Sequence, residues 1–335
     1  MSRVIILLSV VLFSVYQTEQ SHFLTDDYID QINAKATTWK AGRNFPSDIS
    51  VEQIKSMLGA RDVGLTVNGP VKSEDKNYAN YHYIPRTFDA RKKWKNCKTI
   101  GHIRDQGKCG SCWALATTSA FSDRMCIASD DDFNHMLSAE ELAFCCRLCG
   151  FGCSGGYPIQ AWKYFSRHGI VTGGDYGSDE GCQPYNVPPC EVDDEGQNTC
   201  KDQPAEKNHR CTKECYGDSN IDYKNDHVYT RDAYYLAPNT IQKDILTYGP
   251  VAAAFDVYDD FIYYKEGVYV KTENATYLGG HAVKMIGWGY YLGTPYWLMV
   301  NSWNTQWGDN GTFKILRGNN ECGIDNSTTA GVTKY

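Results

Sequence analysis

The sequence predicts an α+β fold of two lobes, a helical one followed by a strand-rich one, with a cleft between them and short helices ahead of both. Two periodicities lead there. Trp113, Ala116, Ala120 and Ile127 recur on one face of a helix starting near Cys112, whereas Val251, Ala253, Phe255 and Val257 alternate as strand residues do. Length and cysteines agree: 335 residues allow two such units, and most of the 14 cysteines fall between 97 and 215, a disulfide framework made in an oxidising compartment.

The elements follow in order. Arg3 precedes an apolar run over 4–13 that suits a secretion signal and is too short to cross a bilayer, so 1–20 are assigned to a signal peptide. No other stretch reads as a membrane span, and a net charge of -7 argues against nucleic acid as a partner. Ile29, Ile32, Ala36 and Trp39 predict one helix, stopped near Gly42. Ser50 and Gln53 offer a capping box for a second, with Val51, Ile54 and Leu58 on its inner face and Gly59 at its end. Two short helices bury little alone, so they are expected to dock on the rest.

Residues 61–83 are polar and read as an extended linker or an exposed, cleavable segment, with order resuming near Ile84-Pro85. Ser138 and Glu141 offer another capping box, for a helix reaching Cys145. The stretch 182–215 carries five cysteines and the acids Glu191, Asp193, Asp194 and Glu195, with no periodicity, and reads as a large loop held by disulfides. Beyond it, the apolar run from His281 to Ile286 is bounded by Gly287 and Gly289. Leu292-Gly293-Thr294-Pro295 then turns into a strand from Tyr296 to Val300.

The chemistry centres on Gln106-Gly107-Lys108-Cys109-Gly110-Ser111-Cys112-Trp113. A thiol at a helix start meets free N–H groups and the positive end of the helix dipole, which favour the nucleophilic thiolate. Cys112 is therefore the candidate nucleophile. Cys109 and Cys112 also fit a redox pair or half of a zinc site, but neither explains Gln106 or Trp113. Peptide hydrolysis by a thiol needs a base, a group that orients it and donors for an oxyanion. His281, after Gly279-Gly280, and Asn301, in Asn301-Ser302-Trp303, are the candidates in the second lobe.

Taken together, Cys109-Gly110-Ser111-Cys112-Trp113, Gly280-His281-Ala282-Val283 and Asn301-Ser302-Trp303 followed by Trp307-Gly308 resemble the three motifs of papain-like cysteine peptidases. His281 and Asn301 follow Cys112 by 169 and 189 residues, against about 130 to 150 in that family. An insertion is implied, and 182–215 resembles the occluding loop of the family's cathepsin B-like group. Residues 38–45 look like that group's propeptide, and the run from Cys145-Cys146 to Cys153-Ser154-Gly155-Gly156-Tyr157-Pro158 looks like its cleft wall.

The resemblance implies a papain-like two-lobed fold, with a helical left lobe, a β-barrel-like right lobe and a central cleft. The propeptide would occupy 21–83 and the peptidase domain 84–335. Cys112 would attack the scissile carbonyl, paired as thiolate with a His281 imidazolium that Asn301 orients and Trp303 shields. Gln106 and the Cys112 N–H would bind the oxyanion, Gly155 and Gly156 would carry the substrate backbone, and Tyr157 would line the pocket for the residue two before the cut. The implied disulfides are Cys97–Cys126, Cys109–Cys153, Cys145–Cys211, Cys146–Cys149, Cys182–Cys215 and Cys190–Cys200, leaving Cys112 and Cys322 free. No cofactor or metal is implied. Expected partners are protein and peptide substrates, the chain's own propeptide and cystatin-type inhibitors, for a monomer in the secretory pathway that ends lysosomal or secreted.

Two departures refine this. The cathepsin B-like loop presents two adjacent histidines to a substrate's terminal carboxylate, whereas here Cys190-Glu191 is followed by Val192-Asp193, and acids repel a carboxylate. Endopeptidase activity is therefore expected to dominate. Retained dipeptidyl-carboxypeptidase activity and a catalytically silent binding protein of the same fold are the alternatives. Second, Ser327 stands where the relative has an acid at the base of its second pocket, which predicts apolar or aromatic side chains there. Of the sequons at Asn274, Asn310 and Asn326, Asn274 is the expected glycosylation site.

Overall fold

The computed structural model describes residues 23–335 apart from 48, 62, 65–68, 81–82, 191–198 and 200–203. The signal peptide, the acids at Glu191, Asp193, Asp194 and Glu195, and Cys200 lie outside the described residues. Among those described, no helix is long and apolar enough to cross a membrane.

The N-terminal segment supplies α1 (Asp26–Lys35), β1 (Trp39–Ala41), α2 (Val51–Ser56) and β2 (Val71–Lys72). Thr25 caps α1, and both hydrogen bonds of the Ser50–Gln53 capping box are present at α2. Trp39 does not continue α1. The helix ends at Lys35, and Trp39 enters β1, pairing with Gly267 while its indole N–H donates to the Val270 carbonyl at 2.9 Å. Helical spacing from Ile29 to Trp39 was thus only partly helical, because a sheet edge was available to the last residues. Gly59 also lies past the end of α2, which stops at Ser56.

The first lobe is built on α4 (Cys112–Ala128), with β3 (Phe88–Asp89), α3 (Ala90–Lys93), α5 (Ala139–Cys145) and α6 (Pro158–His168) around it. The sequence shows one apolar stripe on α4, yet every residue from 112 to 126 is buried. Several of its polar residues find partners on the helix or across the interior. The hydroxyls of Thr117, Thr118 and Ser122 each donate to the carbonyl four residues back at 2.8 Å. Asp123 pairs with buried Lys284 at 2.8 Å, and Arg124 pairs with Asp244. At α5, the Ser138 hydroxyl caps the Glu141 N–H at 3.0 Å, but the Glu141 carboxylate turns instead to the Val171 N–H and Tyr223, so only half of that capping box forms.

The second lobe contains β4 (Tyr234–Leu236), α7 (Ile241–Tyr248), β5 (Val251–Tyr258), β6 (Tyr264–Tyr269), β7 (Tyr277–Tyr291), β8 (Thr294–Val300), β9 (Thr312–Leu316) and β10 (Thr328–Ala330). The strands run β1-β6-β9-β8-β7-β5-β10-β4-β2, with β3 added beside β7, and the path stays open. Both of its ends are strands of the N-terminal segment. β7 and β8 join through Leu292 and Gly293, both at positive φ (48° and 87°), the two-residue turn that matches strand twist. β5 is buried on both faces where alternation suggested one, because Val251, Phe255 and Val257 enter the second lobe's core while Ala252 and Ala254 pack with the α4 cluster.

The N-terminal segment completes that core. Phe23, Ile29, Ile32, Trp39, Ile54 and Met57 belong to the same buried cluster as Phe261, Tyr264 and Trp307. The polar stretch after residue 61 is also anchored, since β2 pairs with β4 and the buried Tyr78 hydroxyl donates to Asp244 at 2.7 Å. Disulfides join Cys97–Cys126, Cys109–Cys153, Cys145–Cys211, Cys146–Cys149 and Cys182–Cys215. Cys190 is also disulfide-bonded, and its expected partner Cys200 is not among the described residues.

Asp244 is fully buried and receives Arg124, Tyr78 and Tyr234. Arg124→Met strands that carboxylate without a cation and is expected to cost about 3–5 kcal/mol in denaturant unfolding. The exposed pair Lys40–Glu266, broken by Lys40→Ala, is expected to leave the midpoint unchanged within error.

Candidate active site

Cys112 opens α4 as a free thiol with no exposed surface. His281 sits on β7, held in register opposite Phe255 of β5, and Asn301 follows the end of β8. The imidazole Nε2 lies 2.7 Å from Asn301 Oδ1, which also accepts the Ser302 N–H at 2.8 Å. An atom that accepts from a backbone N–H is the amide oxygen, so Nε2 carries the proton and Nδ1 is the basic nitrogen. Trp303 lies over the ring with centroids 4.6 Å apart and is itself buried, which keeps water from the His281–Asn301 bond.

Gln106 is buried and tied on both sides. Its backbone N–H donates to the Ser302 carbonyl at 3.0 Å, and its Oε1 accepts the Ser302 hydroxyl at 2.7 Å. The amide Nε2 is thereby aimed at the carbonyls of Cys109 and Met57, each at 2.7 Å. Ser302 was visible only as the middle of Asn301-Ser302-Trp303. Nothing in the spacing connects it to Gln106.

Across this site runs the chain's own segment 58–61. The Gly156 N–H donates to the Gly59 carbonyl at 2.8 Å, the Arg61 N–H to the Gly156 carbonyl at 3.0 Å and the Ala60 N–H to the Gly280 carbonyl at 2.9 Å. Ala60 and Gly156 pair as a parallel bridge. The fit demands glycine: a Cβ on Gly59 would stand 1.8 Å from the Gly110 carbonyl oxygen, and one on Gly280 2.2 Å from the Ala60 carbonyl oxygen. Gly59 was expected to stop a helix. It is instead the residue that lets a chain lie against the nucleophile.

This cover sets the protonation states. Burial pushes the Cys112 thiol up to about 11, despite the N–H groups of Ala282, Gly59, Trp113 and Ala60 that face it. Burial likewise drives His281 down to about 4, against the upward pull of Asn301. Both groups are therefore neutral here, and His281 Nδ1 has no hydrogen-bond partner among the described residues. The expected thiolate–imidazolium pair is not the state of this covered form, because water that would solvate the charges is excluded.

The remaining predicted positions divide. Gly155 and Gly156 carry the covering segment, and a Cβ on Gly155 would come 2.7 Å from the Gly59 carbonyl oxygen. Tyr157 caps α6 just beyond. Ser327 is buried, donates to the Gly323 carbonyl at 2.8 Å and accepts the Gly64 N–H. Asp325, next to it, is committed elsewhere, accepting the Trp297 indole at 2.6 Å and the N–H groups of Gly318 and Asn320. Asn274 is exposed in a turn; Asn310 and Asn326 are exposed as well.

Comparison with known proteins agrees with this geometry. The profile described as papain family cysteine protease matches residues 84–332, and that of the peptidase family C1 propeptide matches 24–64. Over 317 residues the chain is 46% identical to cathepsin B-like cysteine proteinase 4 of Caenorhabditis elegans, covering 91% of each chain. It is also 46% identical over 314 residues to cathepsin B-like cysteine proteinase 5 of that organism, covering 91% of this chain and 89% of the other. Among solved structures it is similar to procathepsin B S9 from Trypanosoma congolense, with a TM-score of 0.79, 35% identity and coverage of 93% of this chain and 99% of that one. A digestive procathepsin L2 proteinase of Tenebrio molitor matches with a TM-score of 0.66 and 26% identity, over 95% and 91%. The chain belongs to the papain family of cysteine proteases, as a cathepsin B-like cysteine peptidase carrying the family's propeptide.

Proposed function

We propose that this zymogen matures, by release of residues 21–83, into an enzyme of 84–335 that acts mainly as an endopeptidase through Cys112, His281, Asn301 and Gln106. The observation that carries the reading is the segment 58–61, a peptide already lying along Gly156 with its backbone facing the thiol. Its backbone takes the hydrogen bonds of Gly156 and Gly280 on either side of the thiol, so it blocks the cleft.

Release of the cover lets water stabilise charge at both groups. The proton of Cys112 then passes to His281 Nδ1, giving thiolate and imidazolium. The thiolate adds to the scissile carbonyl, and the oxyanion takes hydrogen bonds from the Cys112 N–H and from Gln106 Nε2, freed of the Met57 carbonyl. The imidazolium returns its proton to the leaving amine as the C–N bond breaks. Water, deprotonated by His281, then attacks the thioester and restores the thiol. Asn301 keeps Nε2 protonated throughout, and Ser302 keeps the Gln106 amide turned to the oxyanion.

Release moves a proton without taking one up. The covered pair carries its proton on the Cys112 thiol and the open pair carries the same proton on His281, so this pair leaves the balance between the two forms nearly independent of pH in mild acid. The imidazolium keeps the thiolate ionised well below pH 7, which suits an enzyme of the secretory pathway with a lysosomal or secreted destination. Cystatin-type inhibition, a monomeric state and a glycan on the exposed Asn274 complete the reading.

The missing loop histidines and the acids at Asp193, Asp194 and Glu195 support internal cleavage over carboxylate capture. Mass spectrometry of products from one peptide, with free and with amidated C-terminus, tests this. Internal cuts shared by both forms and absent with Cys112→Ala are expected; dipeptides released only from the free acid would contradict it. The second pocket, with Ser327 at its base and Asp325 occupied, is expected to take apolar or aromatic side chains. Ser327→Glu should raise kcat/KM for arginine two residues before the cut about tenfold, and efficient cleavage by the unaltered enzyme of peptides with arginine at that position would sink the assignment.

A further inference from the structure

The hairpin that carries His281 ends, at its far tip, on a residue that does not suit a turn. Leu292 and Gly293 join β7 to β8, and a two-residue turn with positive φ at both positions favours Asn or Asp before Gly. Leu292 takes φ 48°, a region unfavourable for its Cβ. It is also 91% exposed, so no burial compensates. Neither conformation nor packing explains a leucine there, and such a break in local rules marks a position kept for function.

The rungs below it continue the pattern. Tyr290 pairs with Pro295 and Tyr291 with Thr294, and the tyrosines are 41% and 39% exposed. Successive strand residues face opposite ways, so one ring lies on each side of the tip. Arg86 lies 4.8 Å and Arg317 5.6 Å from the Tyr290 centroid, and Lys314 lies 6.0 Å from that of Tyr291. The carboxylates on β3, on β6 and in the turn before β9, Asp89, Glu266 and Asp309, each hold a cation of their own, Arg91, Lys40 and Lys314. Asp325 is buried and taken by Trp297 and two N–H groups. Arg86 and Arg317 pair with no carboxylate among the described residues, and Arg317 Nε has no hydrogen-bond partner among them. This end is therefore positive on a chain whose net charge is -7.

Shape decides what fits it. The tip is convex and a few residues wide, far short of the roughly 800 Å² per partner of a stable protein interface. A bilayer surface asks only that an apolar side chain reach the acyl boundary, that tyrosines lie at headgroup level and that cations meet anionic lipid. We propose that this tip docks reversibly on an anionic phospholipid surface, with Leu292 inserted, Tyr290 and Tyr291 among the headgroups and Arg86 and Arg317 against their negative charge. His281 lies ten residues back along β7 from Tyr291, roughly 30 Å away, so docking leaves the cleft open to soluble protein.

The test is sedimentation of the uncut chain with vesicles of phosphatidylcholine alone, or of phosphatidylcholine and phosphatidylserine in equal parts. Binding is expected to be at least about tenfold tighter on the mixed vesicles and to weaken with added salt. Leu292→Asn installs a residue the turn favours, so the thermal midpoint should hold or rise while binding to mixed vesicles falls at least about tenfold. Arg86→Gln should weaken that binding about fivefold and leave phosphatidylcholine alone unaffected. No binding to mixed vesicles overturns the proposal, and self-association that Leu292→Asn abolishes would then give the tip to a second copy. Equal binding to both vesicles, or undiminished binding by Leu292→Asn, overturns it as well. A lowered midpoint for Leu292→Asn would show that the leucine serves the fold and would remove the argument.

Discussion

The contact on which this structure turns is the passage of one backbone between two others at the nucleophile. Gly59 passes so close to Gly110 that no Cβ fits, the Gly156 N–H of one lobe donates to the Gly59 carbonyl, and the Gly280 carbonyl of the other accepts the Ala60 N–H. Because the segment lies in van der Waals contact with the site, water is excluded from it. From that exclusion follow a thiol held near 11 and an imidazole held near 4, hence an inert pair. Four glycines thus govern the protonation of Cys112 and His281 as much as any charged neighbour does.

Such a passage needs anchors on both sides, and the N-terminal segment has them. β1 extends one end of the sheet and β2 the other, and Ile29, Trp39 and Ile54 are part of the second lobe's core rather than packed on its outside. Polar contacts fix the geometry: the Tyr28 hydroxyl donates to Asp259 and Asn44 Nδ2 to the carbonyls of Ile262 and Tyr264. Phe45 meets Trp303 edge-on at 5.8 Å, so the residue that shields His281 is itself covered by this segment. Clamped at both ends, residues 58–61 have little freedom to leave.

What the sequence disclosed of this follows physical lines. Catalytic residues were legible because their chemistry constrains their neighbours: a helix start behind Cys112, glycines before His281, a tryptophan after Asn301. The α2 capping box was legible because it is local. Trp39 misled because helical spacing cannot report a sheet edge 228 residues away in the chain, at Gly267. The buried polar residues of α4 escaped because a single stripe cannot announce Lys284 or Asp244 on the opposite faces. Gly59 and Ser302 carry roles defined only by partners distant in sequence, so no window around either of them reveals those roles.

The central claim is that the covering segment, by keeping water out, holds Cys112 and His281 uncharged until it is removed. Alkylation of Cys112 by iodoacetamide, read by mass on the uncut chain and on the processed enzyme between pH 7 and 4, measures this directly. An ordinary thiol labels more slowly as pH falls. The uncut chain is expected to label at least about a hundredfold more slowly than the processed enzyme near pH 6.5, and the processed enzyme, whose thiolate is held by the imidazolium, to keep labelling in mild acid where an ordinary thiol has stopped. Labelling of the uncut chain at the processed enzyme's rate near pH 6.5, or a processed enzyme whose labelling falls off with acid like that of an ordinary thiol, would contradict the account.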